Sequence, residues 1–309
     1  SGSSATRPTT VRERVAESDP SLGRILLVAA GALFWGWLVV SWLNRWLGGV
    51  LVPVGDPLVA PGTVEAAVAA LPGLAAYAGD ARFVAALTPE LARGTWLTVV
   101  ITAVSLVLGF FIAVPLAVAR VYGRFSAWLS LVYTELLRGT PLLAQLFVLY
   151  YGLNLASYVP GAVSGVFPRD VVWVAILGFT LNGAAYQAEY IRGALESVEE
   201  GQITAGRSIG LSKLETIYYV VLPQGLRYAI PSWTNEFVYL IKYSSLAAFI
   251  TVPELYYRAD QVASETFRYT LIFVVTGVTY LALVLTASKL MERVEGAVAI
   301  PGLGADREE

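Results

Sequence analysis

Residues Thr95–Ala119 read "TWLTVVITAVSLVLGFFIAVPLAVA" and run for 25 residues without a charged side chain. An α-helix needs about 20 predominantly apolar residues to cross the hydrocarbon core of a bilayer. This stretch is therefore long enough to span a membrane, and it predicts an all-α integral membrane protein.

Further apolar stretches lie on both sides of this one. Ile25–Leu43, Val171–Ala188 and Tyr269–Ser288 are also free of charge, with 19, 18 and 20 residues. Leu129–Tyr158 and Tyr228–Val252 are apolar but contain charges, which membrane helices tolerate where those charges face protein or a water-filled path. Hydrophobic residues make up 56% of the chain and charged residues 14%, which fits a membrane protein. We expect six spans, surrounded by lipid, and no nucleic-acid partner.

Cysteine and histidine are both absent from the chain. Their absence excludes disulfides, thiol chemistry and any zinc site built from those ligands. No aspartate lies within the six expected spans either. An intramembrane enzyme would therefore have little from which to build an active site.

The chain divides by composition. Residues 1–24 are polar and are expected to form a cytoplasmic tail, followed at 25–43 by an extra transmembrane helix. We interpret that helix as a retained anchor rather than a signal peptide, because it exceeds a usual signal core and no small-x-small cleavage site follows it. Residues 44–94 form an external loop rich in Ala, Gly and Pro, in which a short interfacial helix is expected. Residues 95–292 form the core domain and 293–309 a second cytoplasmic tail.

The distribution of Lys and Arg predicts the orientation. If the N-terminus is inside, the inner segments hold thirteen of these residues between Arg7 and Arg307, and the outer segments hold six between Arg45 and Arg268. This bias favours a multi-pass protein of the cell membrane with both termini in the cytoplasm.

A polar segment, residues 195–227, separates the fourth and fifth spans. Glu199–Ile209 is expected to be a short helix, with Gly210 as its left-handed C-terminal residue. Ser212–Glu215 fits a capping box, which would start a second helix. We expect Pro223 to limit that helix, because proline lacks an amide donor. The segment therefore predicts a rigid helix-turn-helix.

The residues from Gly201, "GQITAGRSIGLSKLETIYYVVLPQGLRYAIP", resemble the EAA loop of ABC importer permeases, in the form found in the polar amino-acid uptake family of the histidine/glutamine permease type. In that family the loop is a coupling helix that docks in a groove of an ATPase subunit. The matching residues are Gly201, Gln202, Ala205, Gly210, Leu222, Pro223 and Arg227. The resemblance implies a coupling role here for Gly201, Gln202, Thr204, Ala205, Gly206, Arg207, Gly210, Leu211 and Ser212.

Two positions in this loop depart from the family. Thr204 stands where the family usually has the glutamate of its signature, and Gly206 replaces the second alanine. The first change removes a charge expected to help docking, and the second introduces a residue that weakens a helix.

The resemblance extends over roughly Leu87–Glu292. "LARGTWLTVVITAVSLVLGFFIAVPLAVAR", "YTELLRGTPLLAQLFVLYYGL", "AAYQAEYIRGALESVEEGQ" and "NEFVYLIKYSSLAAFITVPEL" are similar to family segments in the same order. It implies the transmembrane domain of a type I ABC importer, with a five-helix core and one extra N-terminal transmembrane helix. Tyr243 departs from the family, which commonly has aspartate or asparagine there.

An ATP-driven pump needs a phosphate-binding loop in which Lys precedes Ser or Thr. The three lysines of this chain precede Leu214, Tyr243 and Leu290, so the chain has no such loop. The resemblance implies that ATP and Mg bind partner subunits. The expected partners are two cytoplasmic ATPase subunits, a second permease copy or paralogue, and an extracytoplasmic solute-binding protein.

Charged residues inside the spans need partners or water, because each costs on the order of 2.5 to 3.5 kcal/mol at the bilayer centre. Glu135 and Arg138 are three residues apart and are expected to pair on one helical face. Gly139 and Pro141 follow, so the helix should be interrupted there, as helices often are at transport sites.

Two further polar stripes have the spacing of one helical face. They predict a substrate path or, alternatively, hydrogen bonds between helices. An ion-coupled secondary transporter or a channel is the alternative to an importer, although no repeat of 20 to 50 residues of the kind common in secondary carriers is visible. Our hypothesis is that Lys242 meets a substrate carboxylate or serves in the gate. The stripes consist of Asn182, Tyr186 and Glu189, and of Asn235, Tyr239 and Lys242.

Overall fold

The computed structural model describes residues 20–298, and every regular element in that range is helical. The predicted tails therefore lie largely outside the described residues, while 20–24 and 293–298 are helical. The helices are α1 (Pro20–Trp46), α2 (Pro61–Ala69), α3 (Ala78–Tyr122), α4 (Phe125–Arg138), α5 (Leu142–Phe147), α6 (Val171–Glu196), α7 (Glu200–Ser208), α8 (Lys213–Thr216), α9 (Leu222–Tyr243), α10 (Leu255–Thr266) and α11 (Tyr269–Val298).

Four described helical segments are long and apolar enough to cross a membrane, at Ile25–Trp46, Ala75–Tyr122, Val171–Glu196 and Tyr269–Val298. They contain the four uncharged stretches of the sequence. The chain is thus a multi-pass membrane protein with an all-helical fold.

The two charge-bearing stretches take more broken forms. The predicted interruption near Gly139 is present, because α4 ends at Arg138 and α5 begins at Leu142 after Pro141. A π-helical turn, Val148–Gly152, follows α5 directly. In the other stretch α9 ends at Tyr243 and a 3-10 segment continues to Ile250.

The described part of the N-terminal unit, residues 20–54, contains α1 and a compact turn after it. The side chain of Asn44 holds this turn, because its amide donates to the Val52 carbonyl and its oxygen accepts from the Leu51 amide at 2.7 Å. The expected extra helix is therefore longer than the predicted span at 25–43, and an asparagine closes the turn after it.

Helix α3 is much longer than the apolar stretch it contains. Its 45 residues correspond to about 67 Å of helix. Residues 78–94, expected as external loop, form its first turns, while the short helix expected in that loop is α2. Ion pairs from Asp80 to Arg268, the residue before α11, and from Glu90 to Arg258 on α10 tie down this end of α3. The helix is thus anchored well beyond its apolar stretch.

Helices α3 and α6 pack closely through small side chains. Ser105, Gly109, Ala113 and Ala117 recur every fourth residue and are buried. A Cβ on Gly109 would lie 2.6 Å from Nε2 of Gln187 and 3.4 Å from the amide nitrogen of Ala184. Small residues at this spacing let two membrane helices approach each other.

A second close contact joins α3 to the start of α10, and we call it the Glu254 junction (Gly94, Thr98, Glu254, Leu255 and Tyr280). Glu254 is fully buried and accepts hydrogen bonds from the amides of Tyr256 and Tyr257 and the hydroxyls of Thr98 and Tyr280. A Cβ on Gly94 would lie 2.6 Å from the Leu255 Cα. The junction thus ties α3, α10 and α11 together through one carboxylate.

Candidate functional site

The polar loop, defined here as residues 200–221, has a well-formed turn at its tip. The Gly210 amide donates to the Arg207 carbonyl at 3.1 Å, and the Leu211 amide donates to the Gly206 carbonyl at 3.2 Å. These two bonds, with Gly210 at φ +96°, form a Schellman motif at the end of α7. The predicted left-handed glycine is confirmed.

The next helix begins with the predicted capping box. The Ser212 amide donates to the Glu215 carboxylate at 2.8 Å, and the Glu215 amide donates to the Ser212 hydroxyl at 3.3 Å. Hydrogen bonds from Ser212 lower the pKa of the Glu215 carboxyl below its ordinary value. The turn is therefore held by its own local hydrogen bonds.

The expectation that Pro223 limits the second helix is wrong. The chain continues from α8 through a π-helical turn, Ile217–Val221, directly into α9. Pro223 is the second residue of α9, where a missing amide donor is tolerated in the first turn. The loop therefore leads into α9 without a break.

The departure at Gly206 has a structural reason. Gly206 is buried against Thr216, and a Cβ there would lie 2.5 Å from the Thr216 Cγ2 and 2.9 Å from its Oγ1. The Thr216 hydroxyl donates to the Ser212 carbonyl, so the side chain is held in place. The glycine lets α7 pack against α8. Thr204, the other departure, is exposed and carries no charge.

Arg138 does not pair with Glu135, so that expectation is wrong. Its guanidinium lies 3.6 Å from Glu189 on α6 and 5.4 Å from the ring centroid of Tyr186. Glu189 also pairs with Arg192 at 3.0 Å. The carboxylate on the neighbouring helix lies between two guanidinium groups, while Glu135 remains exposed.

Asn182 takes part in helix-to-helix bonding. Its amide donates to the Leu137 carbonyl and to Oε1 of Gln145, both at 3.2 Å. Nε2 of Gln145 in turn donates to the carbonyls of Leu137 and Thr140. These bonds close the break between α4 and α5. Gln145 was not among the predicted site residues, although a lone amide in the apolar "LLAQLF" after Pro141 was a usable signal.

The stripe on α9 is exposed. Asn235, Tyr239 and Lys242 all face outward, and the Lys242 ammonium lies 4.5 Å from the centroid of the Tyr239 ring. The rings of Tyr239 and Tyr243 stack at 5.9 Å. Lys242 is therefore a cation on an aromatic platform at the depth of a predicted span.

Tyr190 on α6 lies within electrostatic range of Arg138 on α4 and of Glu236 and Tyr239 on α9. The structure thus places most of the predicted residues on α4, α6 and α9, while Asn182 belongs to the α4–α5 break. We call the group the polar face: Glu135, Arg138, Tyr186, Glu189, Asn235, Tyr239 and Lys242.

Known proteins resemble this chain in both sequence and structure. The family described as binding-protein-dependent transport system inner membrane component matches residues 105–299. The nopaline transport system permease protein NocM of Agrobacterium fabrum is 35% identical, over 66% of this chain and 85% of its own length. The probable amino-acid ABC transporter permease protein YckA of Bacillus subtilis is 46% identical, over 36% of this chain and only half of its own length.

A solved structure agrees with the family. The crystal structure of an amino acid ABC transporter with histidines matches at a TM-score of 0.60 and 28% identity, over 70% of this chain and 97% of that one. The inward-facing MetNI methionine ABC transporter, at 23% identity and a TM-score of 0.58, shows the fold alone. The described helices after residue 54 have the fold of a type I importer transmembrane domain. The chain therefore belongs to the family of inner-membrane components of binding-protein-dependent transport systems.

Proposed function

We propose that this chain is the permease subunit of an ATP-driven importer for polar amino acids. The observation that carries the proposal is the polar face, whose Glu135, Arg138, Asn235, Tyr239 and Lys242 are exposed although they lie within the predicted spans. Charged and polar groups facing lipid are costly, so this face needs water or another subunit against it. A second copy of the chain, or a paralogue, would cover the face and enclose a polar path.

The chemistry of the polar face suits an amino acid. Lys242 and Arg138 offer cations for a carboxylate, and Glu135 offers an anion for an ammonium group. The relatives support this substrate class, since one is named for nopaline and another for amino acids. We expect Lys242 to meet the substrate carboxylate or to serve in the gate. Unchanged uptake by Lys242→Ala in reconstituted vesicles would contradict that role.

ATP hydrolysis would take place on other polypeptides. No lysine of this chain precedes Ser or Thr, so the chain lacks a Walker A loop. Two cytoplasmic ATPase subunits, with ATP and Mg bound to them, would each hold one polar loop. Their closure would turn the path outward, where an extracytoplasmic solute-binding protein delivers the substrate.

Gly210→Pro tests the role of the polar loop. Gly210 has a positive φ and donates its amide to the Arg207 carbonyl, and proline can do neither. We expect this variant to lose ATPase association and ATP-dependent uptake while remaining in the membrane. Retention of both would remove the docking role from the loop.

The substrate and the orientation need separate measurements. Stimulation of ATPase activity in reconstituted vesicles, scanned over binding proteins loaded with single amino acids, would identify the substrate.

We propose that both termini lie in the cytoplasm. Because the chain has no native cysteine, single cysteines at each end can be tested for labelling from either side.

A further inference from the structure

Two charged side chains of the polar face, Glu135 and Lys242, have no ion-pair partner in the part of the chain that the structure describes. Both are exposed, and each lies within a predicted span. The other charges of this region form a row of ion pairs in which two cations and two anions cancel, namely Arg138, Glu189, Arg192 and Glu196. An unpaired charge facing lipid is costly, so Glu135 and Lys242 need water or a partner of opposite sign from outside the chain.

The two free charges lie at a similar depth. The Asn182 amide on α6 donates to the Leu137 carbonyl on α4 at 3.2 Å. A Cβ on Gly183, the next residue of α6, would lie 3.8 Å from Cδ2 of Leu240 on α9. The two leucines therefore meet the same turn of α6, and each free charge stands two residues, or about 3 Å of helix rise, from one of them.

The two free charges also lie on opposite edges of the polar face. Glu135 belongs to α4 and Lys242 to α9, and both helices pack against α6. Tyr190 of α6 lies within electrostatic range of Arg138 on α4 and of Tyr239 on α9, so α6 forms the middle of the face. The face thus has a negative free charge on its α4 edge and a positive one on its α9 edge.

This arrangement of charge is complementary to itself. Two copies inserted in the same direction can be related by a two-fold axis only along the membrane normal. Such an axis through the face brings the α4 edge of one copy against the α9 edge of the other at the same depth. Glu135 of each copy then faces Lys242 of the second copy, and no like free charges are opposed.

We propose that the second permease subunit is another copy of this chain, and that Glu135 of each copy pairs with Lys242 of the other until an amino acid replaces the pair. The inference rests on the proposed function and adds the identity of the partner and the feature of the substrate that is recognised. The substrate ammonium takes the place of Lys242 beside Glu135, and the substrate carboxylate takes the place of Glu135 beside Lys242. A derivative lacking either charge leaves one of the two residues unpaired in the path, which is costly.

Charge reversal tests the pairing. Glu135→Lys and Lys242→Glu each oppose like charges in both pairs, so copies of either variant should associate with themselves at least about tenfold more weakly than unmodified copies. The two variants expressed together should associate with each other as well as unmodified copies do, because each supplies the charge that the other lacks. Co-purification of copies with two different tags would measure both. Lys289→Glu, which reverses an exposed charge on α11 outside the face, is the control and should have no effect.

Substrate competition tests the exchange. Binding of a radiolabelled mixture of polar L-amino acids to the purified two-copy assembly should be displaced by the unlabelled mixture. Their methyl esters and their N-acetyl derivatives, which each lack one charge, should compete at least about tenfold more weakly. Lys242→Gln should remove the discrimination against the esters alone, and Glu135→Gln that against the N-acetyl derivatives alone. A change in packing would not separate the two derivatives in this way.

The outcomes distinguish this inference from the proposed function. The pairing is overturned if the mixed reversal variants do not recover association, or if either variant associates with itself as well as unmodified copies do. Equal competition by either derivative at the unmodified chain overturns the exchange. ATP-driven uptake together with either result keeps the proposed function and removes only the inference. If the reversal variants recover association but no ATPase subunit gives ATP-driven uptake, the proposed function fails and the pairing stands.

Discussion

The polar loop and the Glu254 junction both begin a helix with an acidic side chain, but they are held in opposite ways. In the loop, Glu215 accepts from a residue three positions away, and every bond of the turn is local. In the junction, Glu254 accepts from Thr98, 156 residues away, and from Tyr280 on α11. The loop is therefore a self-contained module that can present itself to a partner, whereas the junction is rigid only because three helices meet there.

Glu254→Ala should have the largest effect on stability. It leaves the hydroxyls of Thr98 and Tyr280 and two amides of α10 without their acceptor in a buried site. We expect a loss of about 3 kcal/mol in the free energy of unfolding, measured in detergent. Glu254→Gln keeps one acceptor oxygen and should lose less. Equal stability of the alanine variant and the unmodified chain would show that the junction does not hold the three helices.

Gly94→Ala should come next. Its Cβ would meet the backbone of Leu255 at 2.6 Å, and backbone cannot rotate away. Overpacking of this kind costs about 2 kcal/mol. Gly79→Ala is the matched control, since it lies in the same helix with nothing within 4 Å. If both variants have the same thermal midpoint, the close contact at Gly94 does not restrict the size of the side chain at that position.

Gly206→Ala tests the loop in the same way, and we expect about 1 to 2 kcal/mol of destabilisation. The clash is with the Thr216 side chain, so a second change, Thr216→Ala, should relieve it. A double-mutant cycle in thermal unfolding would measure the coupling between the two positions. Additive effects would mean that the glycine does not serve the contact with Thr216.

Ser212→Ala should have the smallest effect on stability, about 1 kcal/mol, because one capping hydrogen bond is lost.

The stabilisation contributed by the Glu215 carboxylate should depend on pH, and the sign of that dependence follows from its pKa. Its pKa is lowered in the folded chain, so the stabilisation is present above the ordinary pKa of 4.5 and is lost as the pH falls through the folded value. The difference between Glu215→Gln and the unmodified chain should therefore shrink in acid. A constant difference would exclude the carboxylate as its source.

The sequence predicted what depends on near neighbours. The left-handed Gly210 and the capping box at Ser212 follow from residues within one turn, and both are present. The four uncharged spans follow from length and composition, and they are present as well. Family resemblance added the expected coupling role of the loop, which no local pattern contains.

What the sequence missed depends on which helices pack together. Glu135 and Arg138 have the i, i+3 spacing of an ion pair on one helix. Arg138 instead pairs with Glu189, because α6 packs beside α4. The role of Glu254 rests on contacts with α3 and α11, and nothing near it in sequence indicates them. Pro223 suggested a helix end, but a π-helical turn placed it in the first turn of the next helix.

The length of α3 has a mechanical consequence. The hydrocarbon core is about 30 Å thick, so a helix of about 67 Å extends well beyond it, and residues 78–94 add about 25 Å before the apolar stretch begins. In such a lever, a tilt of about 5° about one end moves the other by roughly 6 Å. Tyr122 at its last turn lies against Lys213 of the polar loop, and Asp80 at its first turn is tied to Arg268. A small rotation of α3 about its loop end would therefore displace its far end by several ångströms.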